Sequence, residues 1–318
     1  MRAIALYSGG LDSVLAIKIM MSHNIDVIPI GFATPFFSPD AEYGRRILGL
    51  PVEIIDITEE FIEVLLSPKY GYGKNMNPCI DCHSLMIKKA KSLLEVYDAK
   101  FIITGEVLGE RPMSQTRQAL REVEKTAGAE GLVVRPLSGA LLPPTIPEEM
   151  GWIKREWLYD ISGRRRNRQM ELARLFGIGE YKTPAGGCIL TDIQFSKRLR
   201  FLIGIKRKPK REEFELLKIG RHFYADGCWF IIGRNERENL ILKNSRIWRY
   251  IFFTIDYPGP TGIIVEGDSL EIAIRVLARY SDAPKDKNIR VRVLECSSEC
   301  YVLETTALDD EEIEKIRV

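Results

Sequence analysis

Short apolar runs alternate with helical repeats through the first half of the chain. Residues 3–7, 27–30, 52–55 and 101–104 are apolar runs of strand length, and 12–21, 42–48, 59–66 and 82–97 carry helical spacing. A fifth strand is expected at 132–135, before the proline-marked stretch 143–147. Strand and helix in alternation predict an α/β fold, a doubly wound parallel sheet with helices on both faces and ligands at the carboxyl ends of its strands. From His222 the pattern changes to several short strands, a helix near 268–280 and a strand at 289–294, which predicts a smaller α+β domain. The acidic run Asp309 to Glu312 reads as a solvated helix start. Residues 1–205 are therefore expected to form a catalytic domain and 206–318 a second one.

The chain has 318 residues, 45% hydrophobic and 28% charged, long enough for two packed domains and too evenly mixed for disorder. Its net charge of +2 gives no bulk attraction to nucleic acid, so any such footprint must come from local clusters. Two clusters exist: Arg164 to Arg168, and Lys197 to Arg211, which holds eight basic side chains and no acidic one. No apolar run approaches the roughly 20 residues that span a bilayer, and no secretory leader is visible, so a soluble cytoplasmic protein without a membrane partner is expected. Six cysteines are too sparse for a secreted disulfide framework, and a C-x-x-C pair in a reducing compartment points to metal or redox chemistry.

Two segments sit where strands end. Ser8-Gly9-Gly10-Leu11-Asp12-Ser13 follows the first strand: the glycines permit a tight turn, and the helix start turns unpaired amides toward an anion. The hydroxyls of Ser8 and Ser13 add donors, Asp12 suits a magnesium ion beside phosphates, and no lysine follows the glycines as it does in a Walker loop. An ordinary turn with a capped helix is the plain alternative. Thr104-Gly105-Glu106-Val107-Leu108-Gly109-Glu110-Arg111 follows the fourth strand at the same sheet edge and continues through Met113-Ser114-Gln115.

Cys79 and Cys82 stand one turn apart at a helix start in Asn77-Pro78-Cys79-Ile80-Asp81-Cys82-His83, where a helix terminus favours thiolate. Cys188, after Gly186 and Gly187, supplies a third thiol. Three thiolates suit a [4Fe-4S] cluster with one open iron, or a zinc site completed by His83, although a histidine so placed more often caps or packs and is left out of the ligand set. Cys228, Cys296 and Cys300 read as buried packing residues.

The Ser8–Ser13 loop resembles that of the PP-loop ATP pyrophosphatase superfamily. The resemblance implies ATP as cofactor, cleavage between its α and β phosphates, pyrophosphate held by Ser8 to Ser13, key roles for Asp12 and Ser13, and Gly31-Phe32 facing the adenine. The Thr104–Arg111 segment resembles that of tRNA 4-thiouridine synthetases, where it lines the ATP and target-base site. The cysteine trio resembles cluster-dependent tRNA thiolases and, more loosely, 2-thiouridylases, in which two cysteines relay a persulfide. These likenesses imply tRNA thiolation: a base carbonyl oxygen, most simply of uridine, is adenylated and replaced by sulfur, with Cys79 and Cys188 catalytic and Cys79, Cys82 and Cys188 as ligands.

Residues 214–294 resemble the NFACT-R RNA-binding module in Gly233-Arg234-Asn235 to Asn239, read here as a hairpin turn, in Gly259-Pro260 to Val265, and in the alanine-rich helix ending at Tyr280-Ser281. Trp248-Arg249-Tyr250 departs from that module's usual segment. Contacts to RNA are expected from Arg111, Gln115, Arg164, Arg165, Arg166, Lys206, Arg207, Lys208, Arg234 and Asn235, through phosphate neutralisation and base stacking. Expected partners are tRNA, a sulfur donor (inorganic sulfide, a desulfurase or a carrier protein) and a second copy of the chain. Two rivals remain: an amine-transferring enzyme of the lysidine-synthetase type, which needs no cysteines, and a non-catalytic ATP-gated RNA-binding protein.

Overall fold

Side-chain alternation along each strand builds the first sheet. A computed structural model describes residues 1–181, 188–296 and 300–318. In β1 (Arg2–Leu6), Ala3 and Ala5 enter one apolar core and Ile4 enters another, and in β4 (Phe101–Ile103) Phe101 and Ile103 part from Ile102 in the same way. A sheet with two apolar faces has to be covered twice. With β2 (Asp26–Ala33), β3 (Glu53–Asp56) and β5 (Val133–Val134), these strands form a parallel sheet in the order β3-β2-β1-β4-β5. Helix α1 (Leu11–Ser22) packs one face, with α2 (Ala41–Leu48) beside it. The other face is covered by α4 (Cys79–Ser92) and α5 (Arg117–Ala127), and α3 (Thr58–Leu66) packs on α4. After the short α6 (Ile146–Glu149), α7 (Asn167–Leu175) returns to pack on α1.

Strand order reverses at β1, with β2 on one side and β4 on the other. Loops leaving the carboxyl ends of neighbouring strands at such a switch point part to opposite sides and leave a crevice. Here those loops are Ser8–Gly10 after β1 and the segment beginning at Thr104 after β4, so the topology puts the two segments singled out in the sequence at one crevice.

The chain divides between Ile193 and Gln194, so nearly all of α8 (Ile193–Ile205) groups with the second unit, ahead of the boundary expected at residue 206. The basic run Lys197–Arg211 begins inside α8, where Leu199 and Leu202 are fully buried, and apolar burial assigns the helix. After α9 (Arg211–Leu216), the second unit holds β6 (Arg221–Ala225), β7 (Cys228–Ile232), β8 (Tyr250–Thr254), β9 (Thr261–Glu266), β10 (Ile289–Glu295) and β11 (Cys300–Thr305). They form an antiparallel sheet in the order β11-β10-β8-β9-β7-β6. Phe223, Phe230, Phe252, Val291 and Val293 share a core with Ala273, Ile274 and Leu277 of α11 (Leu270–Arg279) and Ile313 of α12 (Asp310–Ile316).

The Gly233–Asn239 stretch, expected as a hairpin turn, instead joins β7 to α10 (Glu236–Asn244). Asn235 accepts the Glu238 amide at 3.0 Å, a helix cap whose local geometry mimics a turn signal. Asp309 caps α12 in the same way, as the acidic run predicted. Cys228 is fully buried, whereas Cys296 and Cys300, expected inside, are both exposed.

Candidate active site

Gly9 takes a left-handed φ of 76° and turns the chain from β1 into α1. Ser13 Oγ donates to the Gly10 carbonyl at 2.8 Å and accepts the Ser8 amide at 3.3 Å, and the Ser8 hydroxyl donates to Ser13 Oγ at 3.2 Å. No side chain caps α1, so the first amides of the helix stay open toward the loop. Leu11 is not part of this surface: it is 2% exposed and packs in the core beneath.

The second segment lies directly against the first. A β-carbon on Gly105 would stand 2.5 Å from the Ser13 amide nitrogen and 2.6 Å from the Asp12 carbonyl carbon. Only glycine lets the backbone past β4 touch the start of α1. Glu106, next in the chain, is buried and holds three partners: Arg135 Nε at 2.9 Å, Thr104 Oγ1 at 3.1 Å and His83 Nδ1 at 2.8 Å. Burial alone would raise its pKa, but the Arg135 charge and the bonds from His83 and Arg135 outweigh that and pull it down to about 2. Glu106 is therefore a fixed anion inside the fold, not a group free to meet a nucleotide. Arg135 also pairs with Glu124.

Asp12 is ion-paired with Arg166, Nη2 to Oδ2 at 2.8 Å, and Glu110 Oε1 lies 3.9 Å from Arg166 Nε. Burial raises the pKa of Asp12, against the pull of Arg166 and Arg111, and that of Glu110, where the neighbouring Asp12 charge adds to burial. Arg166, expected to face RNA, thus belongs to the phosphate-loop side of the crevice, because half-buried carboxylates attract it more than solvent does.

The cysteines come together through the loop ahead of α4. Asn75 Nδ2 donates to the Thr191 carbonyl at 2.6 Å, and Thr191 Oγ1 donates to the Cys188 carbonyl at 2.8 Å. This ties Cys188 to the helix start bearing Cys79 and Cys82. Asp81 anchors that start by accepting the Lys69 and Tyr70 amides at 3.0 and 3.1 Å, and Asn77 Nδ2 donates to Cys79 Sγ at 3.2 Å. Burial, then the nearby Cys188, Cys79 and Asp81, push the Cys82 thiol well up. Cys188 is raised to about 11 by burial, with Cys79 adding to the rise and the Leu190 amide and Arg111 opposing it. The charge of Arg111 is thus felt at Asp12, Glu110 and Cys188. The three thiols are free. Among the described residues, no three His, Cys, Asp or Glu side chains stand close enough to hold a metal ion as placed. Gly186 and Gly187, ahead of Cys188, lie outside the described residues.

Other expected contacts are re-placed. Phe32 is 3% exposed in the core with Ile4 and Ile30, and a β-carbon on Gly31 would press on Ile54 and Pro39, so packing claims both in place of an adenine. Gln115 is buried and accepts the Arg111 amide at 3.1 Å, closing its own loop. Lys206 is held by Glu213 and Glu266 at 2.6 and 3.1 Å, and Arg234 is held by Glu238. Asn235 is the helix cap already described. Arg111, Arg164, Arg165, Arg207 and Lys208 remain exposed. Sequence reading gave no role to Arg135 or Glu110 and set His83 aside as a capping or packing residue; an arginine at the end of an apolar parallel strand was the available signal for the first.

Residues 1–141 match the family model described as thiamine biosynthesis protein (ThiI), and residues 220–317 match that of the NFACT protein RNA binding domain. The first match covers both the phosphate loop and the loop after β4, and the second covers most of the antiparallel unit. A probable tRNA sulfurtransferase of Thermococcus kodakarensis is 29% identical over 146 residues, 43% of this chain and 37% of that protein. A tRNA-specific 2-thiouridylase MnmA of Tropheryma whipplei is 27% identical over 113 residues, 29% of this chain and 32% of that protein. The matched stretches span about a third of these curated relatives, 37% and 32%. A solved 4-thiouridine synthetase–RNA complex with bound ATP aligns at TM-score 0.34 and 17% identity, over 56% of this chain and 51% of that one.

Proposed function

We propose that this PP-loop protein is an ATP-dependent tRNA sulfurtransferase. The observation that carries the reading is the contact of the phosphate loop with the loop after β4, Gly105 against Ser13, together with the bonds that tie Cys188 to the helix start bearing Cys79 and Cys82. ATP enters with its β and γ phosphates on the open amides of α1 and the Ser8–Ser13 loop. Asp12 Oδ1, buried without a hydrogen-bond partner among the described residues, is a carboxylate oxygen suited to the magnesium ion that travels with the phosphates. The base carbonyl oxygen attacks the α phosphorus and pyrophosphate leaves. Sulfur then adds to the base carbon, and AMP departs with the former carbonyl oxygen. Exclusion of water protects the adenylate, and a partly buried site serves that need.

Sulfur is carried by the cysteine trio. Cys79, Cys82 and Cys188 fit the donor chemistry of a [4Fe-4S] cluster, being three free thiols of which two stand at one helix start and the third is tied to it. Such a cluster, when bound, supplies an iron that the protein leaves open for sulfur. A second reading, persulfide relay between Cys188 and Cys79, is supported by the bonds that tie Cys188 to the helix start bearing Cys79.

The RNA is met by exposed arginines, Arg164 and Arg165 among them, and by the NFACT-type domain. A cytoplasmic location, a sulfide, desulfurase or carrier-protein donor and pairing of two copies belong to the same proposal. Anaerobic purification followed by iron and labile-sulfide analysis, with thiolation of tRNA measured alongside, tests it. Iron with sulfide and activity in one preparation supports the cluster; an active, colourless, iron-free preparation supports the relay. Activity that survives replacement of all three cysteines overturns sulfur transfer by this trio.

A further inference from the structure

The pairing of Asp12 with Arg166 is incomplete on both sides. Arg166 and Asp12 keep 15% and 19% of their side-chain surface, yet among the described residues Asp12 Oδ1 and Arg166 Nε are both buried without a hydrogen-bond partner. Glu110, at 3.9 Å, is too far from Nε to satisfy it. Three residues along, in the first turn of α7, Gln169 is fully buried with neither amide atom partnered among the described residues. Half-satisfied charged groups away from water are costly, and a cluster of them beside an anion-binding loop marks a site shaped for something more than its own residues.

The unmet groups have a definite chemistry. A guanidinium nitrogen wants an anion with several acceptor oxygens, and a carboxylate oxygen wants a cation. A triphosphate with its accompanying cation brings both at once, while an adenosine monophosphate does not reach as far. Arg166 is also fixed to the loop that faces it: the Gly163 amide donates to the Leu108 carbonyl at 2.7 Å, and Ser162 bridges Leu108. The arginine therefore stays beside the phosphate loop whichever partner it holds.

We propose that Arg166 is a nucleotide-responsive latch: it holds Asp12 while the loop is empty and passes to the β and γ phosphates of ATP when they arrive, releasing Asp12 to the cation. This rests on the ATP-pyrophosphatase reading and adds to it a residue that sequence assigned to RNA. No bond is made or broken; one ion pair is exchanged for another, and the guanidinium fork suits phosphate oxygens as well as it suits a carboxylate.

Binding of α,β-methylene ATP and of AMP to the full chain, measured by calorimetry in EDTA and again with magnesium, tests the latch. Arg166→Ala should weaken the triphosphate analogue by about tenfold or more and leave AMP within about twofold, a difference that loss of charge-assisted contacts to phosphate predicts. Arg166→Lys, which keeps the charge and the fold, should lose less. Asp12→Asn should tighten magnesium-free binding of the analogue, because Arg166 no longer has to be drawn from a carboxylate, and the gain should vanish in Asp12→Asn/Arg166→Ala. Equal weakening of AMP and the analogue, or a gain that persists without Arg166, overturns the latch and leaves ATP use standing. A wild-type chain that binds the analogue under neither condition overturns the ATP reading itself, and the latch with it.

Discussion

Gly105 and Ser13 touch backbone to backbone, with room between them for hydrogen and nothing larger: a β-carbon at 105 would lie 2.5 Å from the Ser13 amide nitrogen and 2.6 Å from its Cα. That contact joins the loop after β4 to the helix start that presents the phosphate loop. The atoms in the way are main-chain atoms of α1, which cannot swing aside as a side-chain end can. Gly105→Ala should therefore push the two loops apart, lowering stability by about 1–3 kcal/mol as overpacking does. ATP-dependent pyrophosphate release should fall by more than stability explains. Thermal melts paired with a pyrophosphate assay read both; an alanine variant with unchanged melting and turnover would show that the contact is slack.

The chain His83–Glu106–Arg135–Glu124, buried at Glu106 and Arg135, ties α4, the loop after β4, the end of β5 and α5 into one unit. Glu106→Gln leaves the Arg135 charge with one buried partner fewer, and breaking such a pair on one side costs about 3–5 kcal/mol. The acid dependence has a defined direction. The folded pKa of Glu106, about 2, lies below the ordinary 4.5, so its stabilisation is complete above 4.5 and is lost as pH falls toward 2. Urea unfolding of wild type and variant at several pH values should show the gap between them closing through that window; a constant gap would rule out the charge as its source.

How far the sequence reached depends on whether a signal is local. The five parallel strands and the Ser8–Ser13 turn could be read because apolar period and glycine chemistry act within a few residues. Asp12 and Arg166 meet across 154 positions, and nothing in Arg164-Arg165-Arg166 distinguishes the inward arginine from its exposed neighbours. The same holds for Glu106 and Arg135, whose burial follows from sheet order. At Asn235 the failure was of a different kind, since one side-chain bond to a backbone amide serves a hairpin turn and a helix cap alike.

Thiol chemistry should sort the six cysteines by position. Burial raises the thiol pKa of Cys188 to about 11 and drives that of Cys82 well up, while Cys296 and Cys300 are exposed. Thiolate is the reactive form. Brief alkylation of reduced, iron-free protein near pH 8, followed by peptide mass spectrometry, should find Cys296 and Cys300 labelled ahead of Cys82 and Cys188. Early labelling of Cys188 would mean that its loop opens far more readily than its burial implies.

In the second unit, His222 is buried at 1% exposure between Trp229, whose Nε1 donates to its Nδ1 at 3.2 Å, and the Ile219 carbonyl, which its Nε2 meets at 2.8 Å. A ring that accepts at one nitrogen and donates at the other is neutral. Burial above all, with the Arg198 charge, depresses its pKa from 6.5 to about 3. The unfolded chain binds a proton near 6.5 that the folded domain refuses until near 3, so folding stability falls as pH drops through that interval. His222→Gln cannot take up that proton, and its stability should change less with pH than that of the wild type between pH 6.5 and 4, even if it starts lower. Parallel slopes for the two proteins would remove His222 as the cause and point to the carboxylates instead.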